Sequence, residues 1–430
     1  MKRKIYKQLL TWKAQKDRKP LVIKGARQIG KTWIIKEFGK HEYERFVYIN
    51  CDSNEPIKDL FEHDFDIKRI VRGLSAVSGI DITPENTLIF FDEVQEIPRV
   101  VQSLKYFNEN EVHYQVIVAG SLLGIHEHKD ISFPVGKIDS INMHPLSFME
   151  FLLAVAGENM VSLIQHGQLE ELRGVHSSLV EYLRQYYFTG GMPEVVQAFI
   201  DGKSPQEVRR IQKQILSDYS DDISKHAPSE QLVRIDQVWN SIPSQLAREN
   251  RKFQYANIKK GARAKEFELA IQWLCNCGIV IKVNRVSEGK IPLKFYEDFS
   301  AFKLFVFDCG LMGAMVDAPA SQILIGNSIF EEYKGAFTEN YVLEQLVSEY
   351  EVPIYYFSAD DSKQELDFIL QSEDKLVPVE VKAEENLRAK SLRQFCLEHE
   401  GVVGLRISMS PYREQDWMKN IPLYAVNRII

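Results

Sequence analysis

Gly25-Ala26-Arg27-Gln28-Ile29-Gly30-Lys31-Thr32 is the stretch whose reading decides the fold. Two glycines frame a loop that ends on a lysine and a hydroxyl residue, the pattern G-x-x-x-x-G-K-[ST]. Just before it, Leu21-Val22-Ile23 is a short continuous apolar run, and just after it Thr32 to Phe38 carries helical spacing. Strand, glycine loop and helix in that order serve a definite chemistry. Gly25 and Gly30 let backbone N–H groups turn inward around phosphates with no Cβ in the way. Lys31 supplies a point charge for the β- and γ-phosphates, and the Thr32 hydroxyl is placed to ligate Mg²⁺. The expected nucleotide-binding residues are therefore Gly25, Ala26, Arg27, Gln28, Ile29, Gly30, Lys31 and Thr32, with ATP and Mg²⁺ as the ligands. A chance glycine-rich turn is the rival reading, and the strand–loop–helix context weighs against it.

Working outward, further apolar runs follow at Phe46-Val47-Tyr48-Ile49, Leu88-Ile89-Phe90-Phe91 and Gln115-Val116-Ile117-Val118-Ala119. Each is short, continuous and bounded by polar or Gly residues, as strands buried on both faces are. Helical patterns lie between them, including Val100 to Glu109. This alternation predicts an α/β fold of the P-loop NTPase type, with a parallel sheet that binds ligands at its carboxyl edge. The run 88–91 ends in Asp92-Glu93. Asp92 is expected to hold the Mg²⁺ shell and Glu93 to polarise the attacking water as general base. An acidic strand end facing solvent would look the same in isolation. Ser121, at the end of the next strand, is a weaker candidate for contact with the γ-phosphate.

A chain of 430 residues is too long for one core, and 45% hydrophobic with 26% charged residues is ordinary globular composition. A net charge of -7 argues against a protein that coats nucleic acid non-specifically, although 53 Lys and Arg leave room for a local basic face. Five cysteines without a paired framework read as reduced thiols. No signal-like or membrane-spanning run is visible, so no membrane partner and a cytoplasmic location are expected. The pattern divides the chain into a P-loop core over 1–144, a helical lid or adaptor over 145–230, a winged-helix-like unit over 231–330 and an α/β unit over 331–430. In the third unit, helices at Gln231 to Arg248, Ala256 to Gly261 and Lys265 to Cys277 precede a hairpin of Ile279–Val283 and Leu293–Tyr296.

The motifs together resemble a large prokaryotic family of AAA-type ATPases that end in a domain of unknown function. The resemblance rests on the loop 25–32, Asp92-Glu93, Ala119-Gly120-Ser121, His144-Pro145-Leu146-Ser147-Phe148 and Gly190-Gly191-Met192-Pro193. It continues through Leu216-Ser217-Asp218-Tyr219, Asp308-Cys309-Gly310-Leu311 and Glu339-Asn340-Tyr341-Val342, nearly the whole chain. It implies a winged helix and a restriction-endonuclease-like fold behind the ATPase. One position departs: the family has Gly-Arg before the Pro-Leu-Ser-Phe segment, and this chain has Gly136-Lys137. Lysine keeps the charge and loses the bidentate fork. Arg99 and Arg184 are candidates, unplaced by the sequence, for an arginine that completes an ATP site from a neighbouring molecule.

The last unit carries its own constellation: Glu339 on a helix, Asp367 on a strand, and Glu380-Val381-Lys382 on the next strand. Alternation puts Glu380 and Lys382 on one face, where Asp367 can join them. This resembles the PD-(D/E)xK nuclease site, with Asp367, Glu380 and Glu339 as metal ligands and Glu380 and Lys382 as catalytic groups. A surface ion pair on a strand is the plain alternative. For DNA as a partner, the turn Lys259-Lys260-Gly261-Ala262-Arg263 is basic, but Glu266 and Glu268 open the following helix and would repel phosphates. Phe267, Trp273 and Leu274 suit a core better than base stacking. A docked protein partner and self-association stay open beside DNA.

Overall fold

The structure, a computed structural model, describes residues 1–120, 134–248, 252–325, 331–360, 364–383 and 389–430. It contains two compact units, Met1–His144 with Asn276–Gly278, and Pro145–Cys275 with Ile279–Ile430. Among the described residues no helix is long and apolar enough to cross a membrane.

The first unit is built on five parallel strands: β1 (Leu21–Lys24), β2 (Arg45–Asn50), β3 (Thr87–Asp92), β4 (Gln115–Ala119) and β5 (Asp139–Asn142). Their spatial order is β2-β3-β4-β1-β5. The expected apolar runs are β1 to β4, and every residue of β3 and β4 is buried. Such strands are continuous in hydrophobicity because helices cover both faces. β5 was not anticipated, since Asp139-Ser140-Ile141-Asn142 alternates half-buried and exposed positions at the sheet edge. Helices α1 (Ile5–Ala14), α2 (Lys31–Glu42), α3 (Glu55–Glu62), α4 (Ile67–Ser78) and α5 (Pro98–Glu109) complete the layers. Asp66 caps α4 by accepting from the N–H groups of Lys68 and Arg69, satisfying donors that a helix start leaves open. On α2, Ile34, Ile35 and Phe38 are buried, which fixes the helix that begins at the end of the glycine loop.

The second unit begins with helices, Phe148–Ala156 behind a Ser147/Glu150 capping box, then His176–Thr189, Pro193–Ile200, Pro205–His226 and Leu232–Leu246. After the helix Ala264–Asn276 the chain enters an eight-stranded mixed sheet. Its strands are β6 (Val280–Val286), β7 (Glu297–Val306), β8 (Ile354–Ser358), β9 (Glu365–Ser372), β10 (Lys375–Lys382), β11 (Gly404–Ser408), β12 (Arg413–Gln415) and β13 (Met418–Pro422), in the order β12-β13-β11-β10-β9-β8-β6-β7.

Two local expectations change. Leu293–Tyr296 is a short 3-10 turn after Pro292, and the strand that returns to β6 is Glu297–Val306. The segment Ala256 to Gly261 holds only the 3-10 turn Tyr255–Asn257. The larger change concerns the hairpin. β6 pairs antiparallel with β7 and parallel with β8, so the strands expected as the wing of a separate unit form one end of the sheet shared with residues 354–422. The edge of a hairpin presents unpaired N–H and C=O groups, which a neighbouring strand can satisfy.

The Gly190-Gly191 and Asp308-Cys309-Gly310 motifs meet in one knot. Asp308 Oδ2 accepts from Gly191 N at 2.6 Å, and its Oδ1 accepts from Leu311 N at 2.8 Å. A Cβ on Gly190 would lie 2.1 Å from Asp308 Oδ1, and one on Gly310 would lie 2.4 Å from Gly190 N. Burial pushes the Asp308 carboxyl up to about 6, against the downward pull of the N–H groups of Leu311, Gly191 and Gly310. These motif residues hold the helix His176–Thr189 to the segment after β7, a structural duty.

Candidate functional site

In the first unit, the glycine loop links the end of β1 to the start of α2. Gly25 has φ +150°, Gln28 +61° and Gly30 +95°, so the loop takes positive φ at three of its residues, two of them the glycines that tolerate it. A Cβ on Gly25 would stand 2.3 Å from the Met143 carbonyl oxygen, so the loop backbone runs hard against the segment after β5. The Lys31 ammonium donates to the carbonyls of Gly25 at 3.0 Å and Ala26 at 2.6 Å. Burial pulls it down to about 8, against the opposing attraction of Glu93 and Asp92. Thr32 Oγ1 donates to Asp92 Oδ2 at 2.8 Å, and Tyr48 OH donates to the same oxygen at 3.3 Å. Burial pushes the Asp92 carboxyl up, and the Thr32 hydrogen bond works against that rise.

The structure therefore brings Lys31, Thr32, Asp92 and Glu93 to one end of β1 and β3. The donors available to a cation here are oxygens from a hydroxyl and a carboxylate, the set that suits a hard ion such as Mg²⁺. Glu93 has φ +51° and accepts from Gln95 Nε2 at 2.5 Å. A Cβ on Gly120 would lie 2.6 Å from Gln95 Oε1, so glycine at the end of β4 makes room for Gln95. Neither Gln95 nor Tyr48 was expected at the site, and nothing in the local pattern marks them. Ser121 lies outside the described residues.

The remaining basic candidates have other partners. Lys137 pairs with Glu109 at 2.9 Å, both partly exposed. Arg99 donates to the Phe61 carbonyl at 2.6 Å and lies over the Phe65 ring. Arg184 belongs to the helix His176–Thr189 of the second unit.

In the second unit, β10 runs antiparallel to β9 up to the pair Val379 and Phe368, and then parallel to β11. At that changeover, Asp367 Oδ2 accepts from Val381 N at 2.7 Å. Lys382 Nζ sits 2.6 Å from Glu380 Oε1, so the two do share a face. Burial, then the neighbouring Asp367, push the Glu380 carboxyl up to about 7, while Lys382 and Lys303 draw it down. Glu339 is fully buried and pairs with Lys303 at 3.1 Å; Lys303, also fully buried, reaches Glu365 at 3.1 Å as well. Among the described residues no three His, Cys, Asp or Glu side chains gather as a group able to hold a metal ion. Lys303 was missed, and a signal existed: it is a lone lysine inside the apolar run Phe302-Lys303-Leu304-Phe305-Val306, which implies a buried counter-charge.

Lys259, Lys260, Arg263 and Lys265 are exposed, while Phe267, Trp273 and Leu274 are buried core. Arg248 donates to Asn257 Oδ1 at 2.6 Å.

Comparison with known proteins divides the chain in three. Residues 180–322 match a domain of unknown function (DUF8612), and residues 334–426 match another domain of unknown function (DUF4143). No curated protein matches. A Walker-type ATPase of Pyrococcus abyssi is similar to 72% of this chain and 94% of its own, at 12% identity and a TM-score of 0.45. Residues 17–152, which hold the glycine loop, Asp92 and Glu93, match the AAA domain, and the first unit has the parallel five-stranded α/β sheet of a P-loop NTPase fold.

Proposed function

We propose that the protein binds and hydrolyses ATP at the first unit, and that its nucleotide state governs what the second unit does. The observation that carries this is the convergence of Lys31, Thr32 and Asp92 at the glycine loop, with Glu93 held by Gln95 beside them. The loop N–H groups and Lys31 would hold the phosphates. Thr32 and Asp92 would hold Mg²⁺, which supplies charge neutralisation of the phosphate oxygens. Glu93 would accept the proton of the attacking water, with Gln95 fixing its carboxylate. Steady-state ATP hydrolysis tests this reading. Glu93→Gln is expected to lower turnover by about 100-fold or more while ATP binding persists, and Lys31→Ala to abolish binding. Equal turnover in wild type and Glu93→Gln would sink the assignment of the base.

For the second unit we propose a nuclease-like α/β domain with Asp367, Glu380 and Lys382 as its site, Glu339 paired with Lys303, and DNA as its class of substrate. Support comes from the shared face of Glu380 and Lys382 and from Asp367 on the adjoining strand. A second reading has its own observation. The close Lys382–Glu380 pair and the Lys303–Glu339 pair are what a binding domain without cleavage would retain as framework. Cleavage of single- and double-stranded DNA and RNA with Mg²⁺ or Mn²⁺, comparing wild type with Asp367→Ala and Lys382→Ala, separates the two. Activity lost in both variants supports the nuclease, and no cleavage by wild type supports the binding domain.

A further inference from the structure

We propose that Arg3 is a positioning residue that couples the glycine loop to residues 143–144, where the chain leaves the first unit. The inference rests on reading 25–32 as a nucleotide site. Arg3 precedes α1 and is 9% exposed. Its Nη1 donates to the Ile29 carbonyl at 3.0 Å, and its Nη2 donates to the His144 carbonyl at 2.6 Å. One planar guanidinium thus holds a carbonyl of the loop and a carbonyl of the residue at which the chain leaves the unit's main segment. Arginine suits this because its donors lie in a fixed fork, whereas lysine offers a single point of charge.

Two main-chain contacts join the same segments. Met143 N donates to Lys24 O at 2.7 Å, and the Gly25 backbone lies against the Met143 carbonyl so closely that a Cβ would stand 2.3 Å from it. Register leads into these contacts, with Lys24 opposite Asn142 in the β1–β5 pair. Loop and exit segment are therefore tied at Lys24, at Gly25 and, through Arg3, at Ile29.

Peptide geometry makes the third tie responsive. The Ile29 carbonyl and the Gly30 N–H belong to one rigid plane, so one cannot tilt without the other. A phosphate that draws the Gly30 N–H inward rotates the Ile29 oxygen, and Arg3 carries that rotation to His144. Lys24 and Gly25 tie the exit segment to the loop's beginning, and Arg3 ties it to the loop's far end. Arg3 touches no reacting atom in this scheme; it acts through the loop.

Hydrogen exchange of the peptide spanning 139–144, with and without ADP·Mg²⁺, reads the coupling directly. In wild type the nucleotide is expected to slow exchange of this segment about tenfold or more, whereas in Arg3→Ala the slowing falls below about twofold. ADP affinity, measured by calorimetry, is expected to stay within about fivefold of wild type in that variant. A framework role would lower overall stability yet leave the nucleotide-dependent slowing in place. Arg3→Ala with undiminished slowing overturns the proposal. Should Arg3→Ala fail to fold, Arg3→Lys decides: partial slowing supports the two-carbonyl tie, and full slowing overturns it. Wild type that binds no ADP removes the nucleotide reading itself, and the coupling falls with it.

Discussion

Two lysine-bearing sites in this chain are built in opposite ways. Lys31 donates to main-chain oxygens of its own loop, and eight consecutive residues shape the cradle around it. Lys303 and Lys382 instead face carboxylates on a helix and on strands brought together by the second sheet. The first arrangement is a backbone site, sensitive to an added Cβ. The second is a side-chain site, sensitive to the loss of a charge. Local chain geometry governs one, and sheet pairing governs the other.

The contrast can be broken most readily at Lys303. Lys303→Met removes the ammonium that faces buried Glu339 and is expected to cost about 3–5 kcal/mol of stability in urea unfolding, with ATP affinity unchanged. A loss below about 1 kcal/mol would mean that the buried pair is not what holds that end of the sheet.

Dependence on buried charge also makes the second unit sensitive to pH. Asp308 is held near 6 in the folded chain against an ordinary 3.8. Between those values the native state keeps a proton that the unfolded chain has released. Stability therefore falls as pH rises from about 4 to about 6, by at most about 3 kcal/mol, and is level above. Asp308→Asn lacks this response, so the stability of wild type relative to the variant should decline across that window. A gap that stays constant would place the proton elsewhere.

Gly25→Ala sharpens the other side of the comparison. Its φ of +150° and the 2.3 Å approach to the Met143 oxygen leave no room for a methyl group. Strain of about 1–3 kcal/mol, if nucleotide binding has to bear it, predicts ATP binding weaker by roughly 5- to 150-fold. An unchanged Kd would show that the loop can move away at little cost. The smallest effect belongs to Lys137→Ala. Its pair with Glu109 is partly exposed, and its loss should change stability by less than about 0.5 kcal/mol and hydrolysis by less than about twofold. A larger fall in hydrolysis would give Lys137 a part in the ATP site.

Four strands of the first sheet, the glycine loop and the carboxylate at the end of β3 were legible because each is written in consecutive residues. Burial on both faces makes a strand continuously apolar, and a phosphate loop needs glycine at fixed spacing. β5 escaped because an edge strand of four residues with alternating exposure leaves almost no hydrophobic trace. Gln95 escaped because its place beside Glu93 depends on the space that Gly120 leaves at the end of a different strand.

The sequence by itself determined the P-loop, its strand and helix, and the shared face of Glu380 and Lys382 at alternate positions of one strand. Only the tertiary structure decided that the hairpin of β6 and β7 belongs to the C-terminal sheet, that Lys303 on β7 meets Glu339 on the helix Glu331–Glu349, and that Arg3 spans from Ile29 to His144. The reason is physical. Periodicity and loop spacing report a residue's immediate neighbours along the chain, whereas register and counter-charges are set by which surfaces find each other once apolar faces are buried.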